Sequence, residues 1–290
     1  MSNFRTIKGT HDILPNELML WRYIEDTIQS IMIQHGYGEI KTPVFENTEL
    51  FVRGIGTDTD IVNKEMYSWI DQGKNNLTLR PELTAPVSRA YLQNQLGNIN
   101  PLQRLWYFGS LFRRERPQKG RQRQFHQFGV EAIGSEYPEQ DAEIISLAYN
   151  IFKEFDIKDM NVQINSIGSS DIRSKYLLNL RKDLKKIELE VCKSCQSRIK
   201  KNALRLFDCK NPNCQELLDD NVPFIFDYIS KNDFIHFNMV TQILDKIGIP
   251  FSHNKKLVRG LDYYSHTTFE IKSSSLGAQG ALCGGGRYNG

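Results

Sequence analysis

Residues 112–131 read FRRERPQKGRQRQFHQFGVE, and six of the first dozen positions are Lys or Arg. Arginine suits phosphate because its planar fork donates two parallel, charge-assisted hydrogen bonds. Two antiparallel strands, expected over residues 104–114 and 123–133 and joined by the basic loop PQKGRQ, would hold Arg113, Arg116, Arg121 and Arg123 near one mouth of a sheet. On the returning strand Phe125, Gln127, Gly129 and Glu131 alternate, so they share a face. That face offers a ring for a base to stack on, an amide, a gap and a carboxylate. The stretch asks for a highly charged ligand at one end and a small polar one at the other. Ordinary surface arginines on a strand pair are the plainer alternative.

Three further stretches carry chemistry. In LTLRPELTAPVSRA, residues 77–90, Glu82 and Thr84 follow a proline at a strand-to-helix junction. There a carboxylate and a hydroxyl can meet a ligand ammonium, although capping the helix is the simpler use. In LVRGLDYYSHTTFE, residues 257–270, Arg259 precedes Gly260, which permits close backbone approach, and Tyr263 and Tyr264 bring two hydroxyls that need partners. LCGGGRYNG, residues 282–290, places three glycines in a row, which fits backbone close to a ligand or a tight strand. Core tyrosines beside a surface arginine would also satisfy the third stretch.

The cysteines form a separate group. Cys192-x2-Cys195 and Cys209-x4-Cys214 could give four thiolates to a tetrahedral zinc. The second spacing is loose, and free, partly buried thiols are the preferred alternative. They lie in a segment, residues 170–254, that looks mainly helical and sits between two strand-rich parts. Within it residues 173–205 hold eleven Lys or Arg against three Asp or Glu. This segment reads as an inserted domain between residues 1–169 and residues 255–290. Its basic face is a solvated helix surface or a nucleic-acid contact.

The elements that must position these residues follow from periodicity. Leu18, Trp21, Ile24, Ile28, Ile31 and Met32 recur at helical steps over residues 17–35, and Gly36 stops the helix. A strand over residues 38–42 ends at Pro43, a hairpin spans residues 66–70 and 77–79, and a helix follows over residues 84–95. Beyond the two long strands come a helix at residues 139–155 and strands at residues 160–167, 257–273 and 281–283. The expected class is α+β, one antiparallel sheet flanked by helices with a mainly helical insertion.

The composition, 40% hydrophobic and 24% charged over 290 residues, is that of a globular chain with material for a substantial core. A net charge of +3 gives no global polyanion signal. The opening MSNFRTIKGTHDILPNE lacks an apolar signal core and no run approaches a membrane span, so a soluble cytoplasmic protein is expected. Clustered rather than spread cysteines fit a reducing compartment.

Together the four chemical stretches resemble the histidyl-tRNA synthetases, class II aminoacyl-tRNA synthetases, over essentially the whole chain. FRRE at residues 112–115 resembles the second class motif, RGLDYY at 259–264 and CGGGRY at 283–288 resemble segments peculiar to the histidine enzymes, and residues 17–43 resemble the dimer-interface helix and strand. The resemblance implies a homodimeric histidine–tRNA ligase that takes histidine, ATP with Mg2+, and tRNA(His). It implies Arg113 and Arg259 as catalytic groups on the α-phosphate, with Arg121 on the outer phosphates and Phe125 on adenine. It implies Glu82, Thr84 and Gln127 on the histidine ammonium, Glu131 and Tyr264 on the imidazole, and Tyr263 supporting the pocket. Zinc is not a general requirement of the family.

Leu83 departs from the glycine common among bacterial relatives. The third class motif and the anticodon-binding domain would follow Gly290, so the chain is expected to be a catalytic-core portion with reduced or no activity of its own. The alternative is the synthetase-like, non-catalytic regulatory subunit of ATP phosphoribosyltransferase in histidine biosynthesis. Such subunits usually lose parts of RGLDYY and of the motif-two arginines, which this chain retains. A general nucleic-acid-binding module would leave the acidic and tyrosine residues unexplained.

Overall fold

The structure is a computed structural model that describes residues 4–57, 59–118, 120–259, 263–275 and 281–289. The chain divides into two compact units, residues 1–135 and 136–290. This division differs from the expected boundaries at 169/170 and 254/255, because the helix and strand that follow residue 135 pair and pack with elements near the end of the chain.

In the first unit α1 (Pro15–Gln34) starts with proline in its first turn, where the missing N–H is no loss, and stops at Gly36, whose φ of +73° suits glycine. Two short strands, β1 (Gly38–Glu39) and β2 (Phe45–Asn47), lead into α2 (Thr48–Ile55), whose N-terminus is capped by the Asn47 side chain. After a single π-helical turn, Ile61–Glu65, the expected hairpin forms as β3 (Tyr67–Ile70) and β4 (Asn76–Leu79). Helices α3 (Thr84–Gln93) and α4 (Leu96–Ile99) precede the long strands β5 (Gln103–Phe112) and β6 (Gln124–Ile133).

Hydrogen bonding groups these strands into two sheets, β1-β5-β6 and β2-β4-β3. β5 and β6 run antiparallel through ten residue pairs, Gln103 opposite Ile133 to Phe112 opposite Gln124, which fixes which β6 side chains share a face. β1 joins them in parallel at the edge and is shorter than the expected strand over residues 38–42. Trp21 of α1 packs edge-on against His126, ring centroids 4.6 Å apart, and against Phe108, seating the helix on β5 and β6.

In the second unit α5 (Pro138–Glu154) leads to β7 (Met160–Ser166). The expected helical segment holds α6 (Ser170–Leu184), α7 (Lys193–Lys201), α8 (Pro212–Asn221) and α9 (Lys231–Lys246), followed by β8 (Phe251–His253), β9 (Ser265–Ser273) and β10 (Ala281–Arg287). The sheet order is β10-β9-β7-β8, antiparallel except for the β7–β8 edge. The expected strand over residues 257–273 is thus β9, starting at Ser265, and residues 260–262 lie outside the described residues.

Residues from α6 to Ile225, joined by Ile167 and Val258, build one buried core in which Tyr176, Leu180, Leu184, Cys195, Leu206 and Leu218 are fully buried. The last helix of the segment, α9, packs instead against α5, and β8 pairs with β7.

Candidate active site

The sequence candidates fall into two groups, one in each unit. In the first unit the turn after β4 delivers Glu82, 4% exposed, to the N-terminus of α3. Its Oε2 accepts the Thr84 N–H at 2.8 Å and its Oε1 the Ala85 N–H at 2.9 Å. Those amides have no intrahelical partner, so the carboxylate satisfies orphan donors while the helix dipole favours its charge. Burial, opposed by these hydrogen bonds and reinforced by the nearby Glu131, pushes the Glu82 carboxyl up to about 7.

Glu131, also buried on β6, accepts the Thr84 hydroxyl at 2.8 Å and the Tyr107 hydroxyl at 3.1 Å, both on Oε1. Tyr107 reaches it from β5 because its cross-strand neighbour is Gly129: a Cβ there would lie 2.4 Å from the Tyr107 hydroxyl oxygen. Burial, then the Glu131 and Glu82 charges, hold that phenol well above its usual range. Tyr107 was not singled out in the sequence, although Gly129 opposite it was. The gap at Gly129 was the signal available there.

Arg113 donates its Nε to the Pro81 carbonyl at 2.9 Å, which places it next to Glu82 in space, and its guanidinium carbon lies 5.2 Å from the Phe125 ring centre. Glu115 lies 3.9 Å from Arg113 and accepts Arg121 at 2.9 Å, so one carboxylate sits between the two candidate phosphate arginines. Gln127 is on the same face of β6 as Phe125 and Glu131, as the alternation requires, and is exposed. Glu82, Thr84, Glu131, Arg113 and Phe125 are therefore brought together around one end of α3 and the β5–β6 strands.

Arg80, just before Glu82, is 7% exposed. It is structural: its guanidinium donates to the Ser110 carbonyl at 3.0 Å and the Thr42 carbonyl at 2.8 Å, over Gly109, where a Cβ would lie 2.6 Å from Nη2.

In the second unit the glycine run is explained residue by residue. A Cβ on Gly284 would sit 2.4–2.6 Å from the Arg259 guanidinium, one on Gly285 2.8 Å from the Phe269 ring, and one on Gly286 2.7 Å from the Thr267 carbonyl oxygen and 2.8 Å from Tyr264. Arg259 pairs with Glu270 of β9 at 3.1 Å. Its buried Nε has no hydrogen-bond partner among the described residues. Burial raises the Asp208 carboxyl, against Arg205, Arg198 and Arg259. The Tyr263 and Tyr264 rings pack on each other at 4.6 Å, and Tyr263 meets Tyr288 edge-on at 5.9 Å. Gly260, singled out for backbone approach, lies outside the described residues.

Arg287, which closes the glycine run, forks onto Asp141 of α5, Nη2 to Oδ1 at 2.6 Å and Nε to Oδ1 at 3.0 Å, with both side chains 9% exposed. His236 of α9 meets the other oxygen at 2.7 Å. Burial would raise the Asp141 carboxyl, but His236 and Arg287 together hold it below its ordinary value. A second pair, His266 to Asp233 at 2.6 Å, links β9 to α9. These contacts fasten β9 and β10 to the helices.

A family described as histidyl-tRNA synthetase matches residues 9–290. The chain is 50% identical over 284 residues to the histidine–tRNA ligase of Halothermothrix orenii, covering 98% of this chain and 67% of that protein. Among solved structures, apo histidyl-tRNA synthetase of S. aureus superposes with a TM-score of 0.77 at 37% identity, over 99% of this chain and 67% of that one. A protein of Bacillus halodurans described as an ATP phosphoribosyltransferase regulatory subunit/histidyl-tRNA synthetase shares the fold, TM-score 0.69, at 24% identity. The fold is that of an aminoacyl-tRNA synthetase of α+β architecture. The chain belongs to the histidyl-tRNA synthetase family. It spans about two thirds of the length of the curated relatives it matches.

Proposed function

We propose that this chain carries the histidine-activating site of a histidine–tRNA ligase. The observation that carries the reading is the pair of buried carboxylates, Glu82 and Glu131, bridged by Thr84 and adjoined by Arg113 and Phe125. A carboxylate pair suits a ligand that brings an ammonium and a ring N–H, and a guanidinium beside an aromatic ring suits a nucleotide phosphate and base. Glu131 is oriented by two hydroxyl donors on one oxygen, which prepares a carboxylate to accept an imidazole N–H. Glu82, Thr84 and Gln127 take the α-ammonium. Tyr264 meets the other imidazole nitrogen, and Tyr263 supports it by ring contact.

In the first step the histidine carboxylate attacks the α-phosphorus of ATP. An O–P bond forms, the bond from that phosphorus to the bridging oxygen breaks, and pyrophosphate leaves with histidyl-adenylate behind. Negative charge gathers on the phosphoryl oxygens, so fixed cations lower the barrier. Arg113 and Arg259 are the catalytic cations, Arg121 binds the outer phosphates, and Phe125 lies on adenine. In the second step the 3′-terminal ribose hydroxyl of tRNA(His) attacks the activated acyl carbon and AMP leaves.

Among the described residues the grouping of three or more metal-ligating side chains is the four-cysteine cluster, whose soft donors do not suit Mg2+. Mg2+ belongs to this reading as the companion of the ATP phosphates and thus as part of the substrate. Exposed Met19, Leu20, Tyr23 and Ile33 on α1 favour a homodimer through that helix. None of the described helices is long and apolar enough to cross a membrane; the reading itself places the protein in the cytoplasm. Residues 170–254 form the insertion of this reading, and its basic helices face the tRNA.

The test is exchange of radioactive pyrophosphate into ATP, assayed with each amino acid in turn. Exchange with histidine alone supports the reading. Absence of exchange together with stimulation of an ATP phosphoribosyltransferase would establish the regulatory subunit instead.

A further inference from the structure

We propose that Cys192, Cys195, Cys209 and Cys214 form a tetrathiolate zinc site that pins together the small helical core of the insertion. This site is independent of the histidine-activating reading.

The four sulfurs all lie within 4.8 Å of one another, although the residues span 23 positions of sequence from 192 to 214. Tetrahedral zinc with Zn–S bonds of about 2.3 Å places its sulfurs about 3.8 Å apart. The Cys192 and Cys209 sulfurs are already 3.9 Å apart. That separation is far outside a disulfide, about 2.05 Å, and the gathering of all four thiols around one point is what one ion needs rather than what two bridges need. An iron–sulfur cluster interposes its own atoms and would hold the thiols further apart.

The local structure is arranged for thiolates. Cys192 is the residue before α7 and Cys195 is in its first turn, while Cys214 is in the first turn of α8. Helix N-termini favour negative charge at those positions. Backbone amides point at sulfur as well: the Cys192 N–H donates to Cys214 Sγ at 3.2 Å and the Asn211 N–H to Cys209 Sγ at 3.5 Å. Such contacts orient the ligands and offset the charge of a metal thiolate. Lys193 and Lys210, next to two of the cysteines in sequence, add positive charge around it.

The packing gives the ion a task. Cys195 and Cys214 are buried among Tyr176, Leu206 and Leu218, with Cys192 and Cys209 at the rim of the same core. Three short pieces, α7, the 3-10 turn Ala203–Asp208 and α8, meet there. Small helical pieces with few long-range hydrogen bonds are commonly stapled by a structural metal.

The experiment is metal analysis of the reduced chain purified from zinc-replete medium, alongside Cys192→Ser, Cys195→Ser and Cys283→Ser. Cys283 lies on β10, outside the cluster, and serves as the control. About one zinc per chain is expected in the wild type and in Cys283→Ser, and less than about a fifth of that in the other two, since each loses one of four ligands. To keep the test independent of whether a cluster variant folds, the wild-type chain is also stripped with a chelator and given Co2+. A tetrahedral thiolate spectrum, displaced by Zn2+, is expected. A metal-free or iron-containing wild type, or one whose four cysteines are oxidised, that gives no such spectrum after reduction and Co2+ addition would overturn the proposal.

Discussion

Thr84 Oγ1 donates to Glu131 Oε1 at 2.8 Å, and through this bond the first residue of helix α3 holds the carboxylate of a strand 47 residues later. The same residue's N–H is taken by Glu82. One threonine thus links two buried acids, and the arrangement makes their protonation states and their ligand preferences measurable.

Folding moves Glu82 from 4.5 to about 7, burial being the largest cause. Between those values the folded chain keeps a proton that the unfolded chain has lost. Stability therefore falls as pH rises through that window, and above the folded value the whole cost is present. Glu82→Gln is neutral throughout and keeps an acceptor for the helix amides. Urea midpoints measured across the window should fall more steeply with pH for the wild type than for the variant on this account. Parallel slopes in the two proteins would remove Glu82 as their source.

Gly284 leaves room for the Arg259 guanidinium, and an added Cβ would meet it at 2.4–2.6 Å. The atoms in the way are the far end of a flexible side chain, so Gly284→Ala should fold with little loss of stability while displacing Arg259. Misplacing a catalytic group by about 1 Å costs up to about a hundredfold in rate. The adenylation kcat should fall by roughly ten- to a hundredfold, with KM for histidine changed far less. Arg259→Ala should fall by a comparable factor, and the double variant little further, because both act through one guanidinium. Single-turnover adenylation measures all three, and additive losses would separate the glycine from the arginine.

What was legible in the sequence is what depends on neighbours. Alternation along residues 123–133 gave β6 and put Phe125, Gln127 and Glu131 on one face, and the observed ladder keeps that register. The periodic apolar residues and Gly36 gave α1 almost to its ends. The pairing of Glu82 with its helix was readable too, since a carboxylate two residues before a helix amide that has no intrahelical acceptor is a local relation. Arg80 was not, because its acceptors, Thr42 and Ser110, are 38 and 30 residues away and are carbonyls that any residue type provides. Nor was Arg287 with Asp141, 146 residues apart. The glycine run was visible as a request for space, but which side chain fills each space depends on the β9–β10 pairing and its two bulges. The cysteines were seen as a group, while their convergence needed the turn of Ala203–Asp208 to bring the second pair back to the first.

The central claim is that Glu131 reads the imidazole of histidine, and calorimetric titration of histidine and of ATP into the folded Glu131→Gln variant tests it most directly. Glutamine keeps the size and one acceptor oxygen and removes the charge. A charge-assisted hydrogen bond contributes about 1.5–3 kcal/mol, so Kd for histidine should rise by about tenfold or more while that for ATP changes little. If Glu131 served only to hold Thr84 and Tyr107 in place, the variant would lose stability and both affinities would drop together. Equal losses for the two ligands, or histidine binding unchanged from the wild type, would contradict the claim.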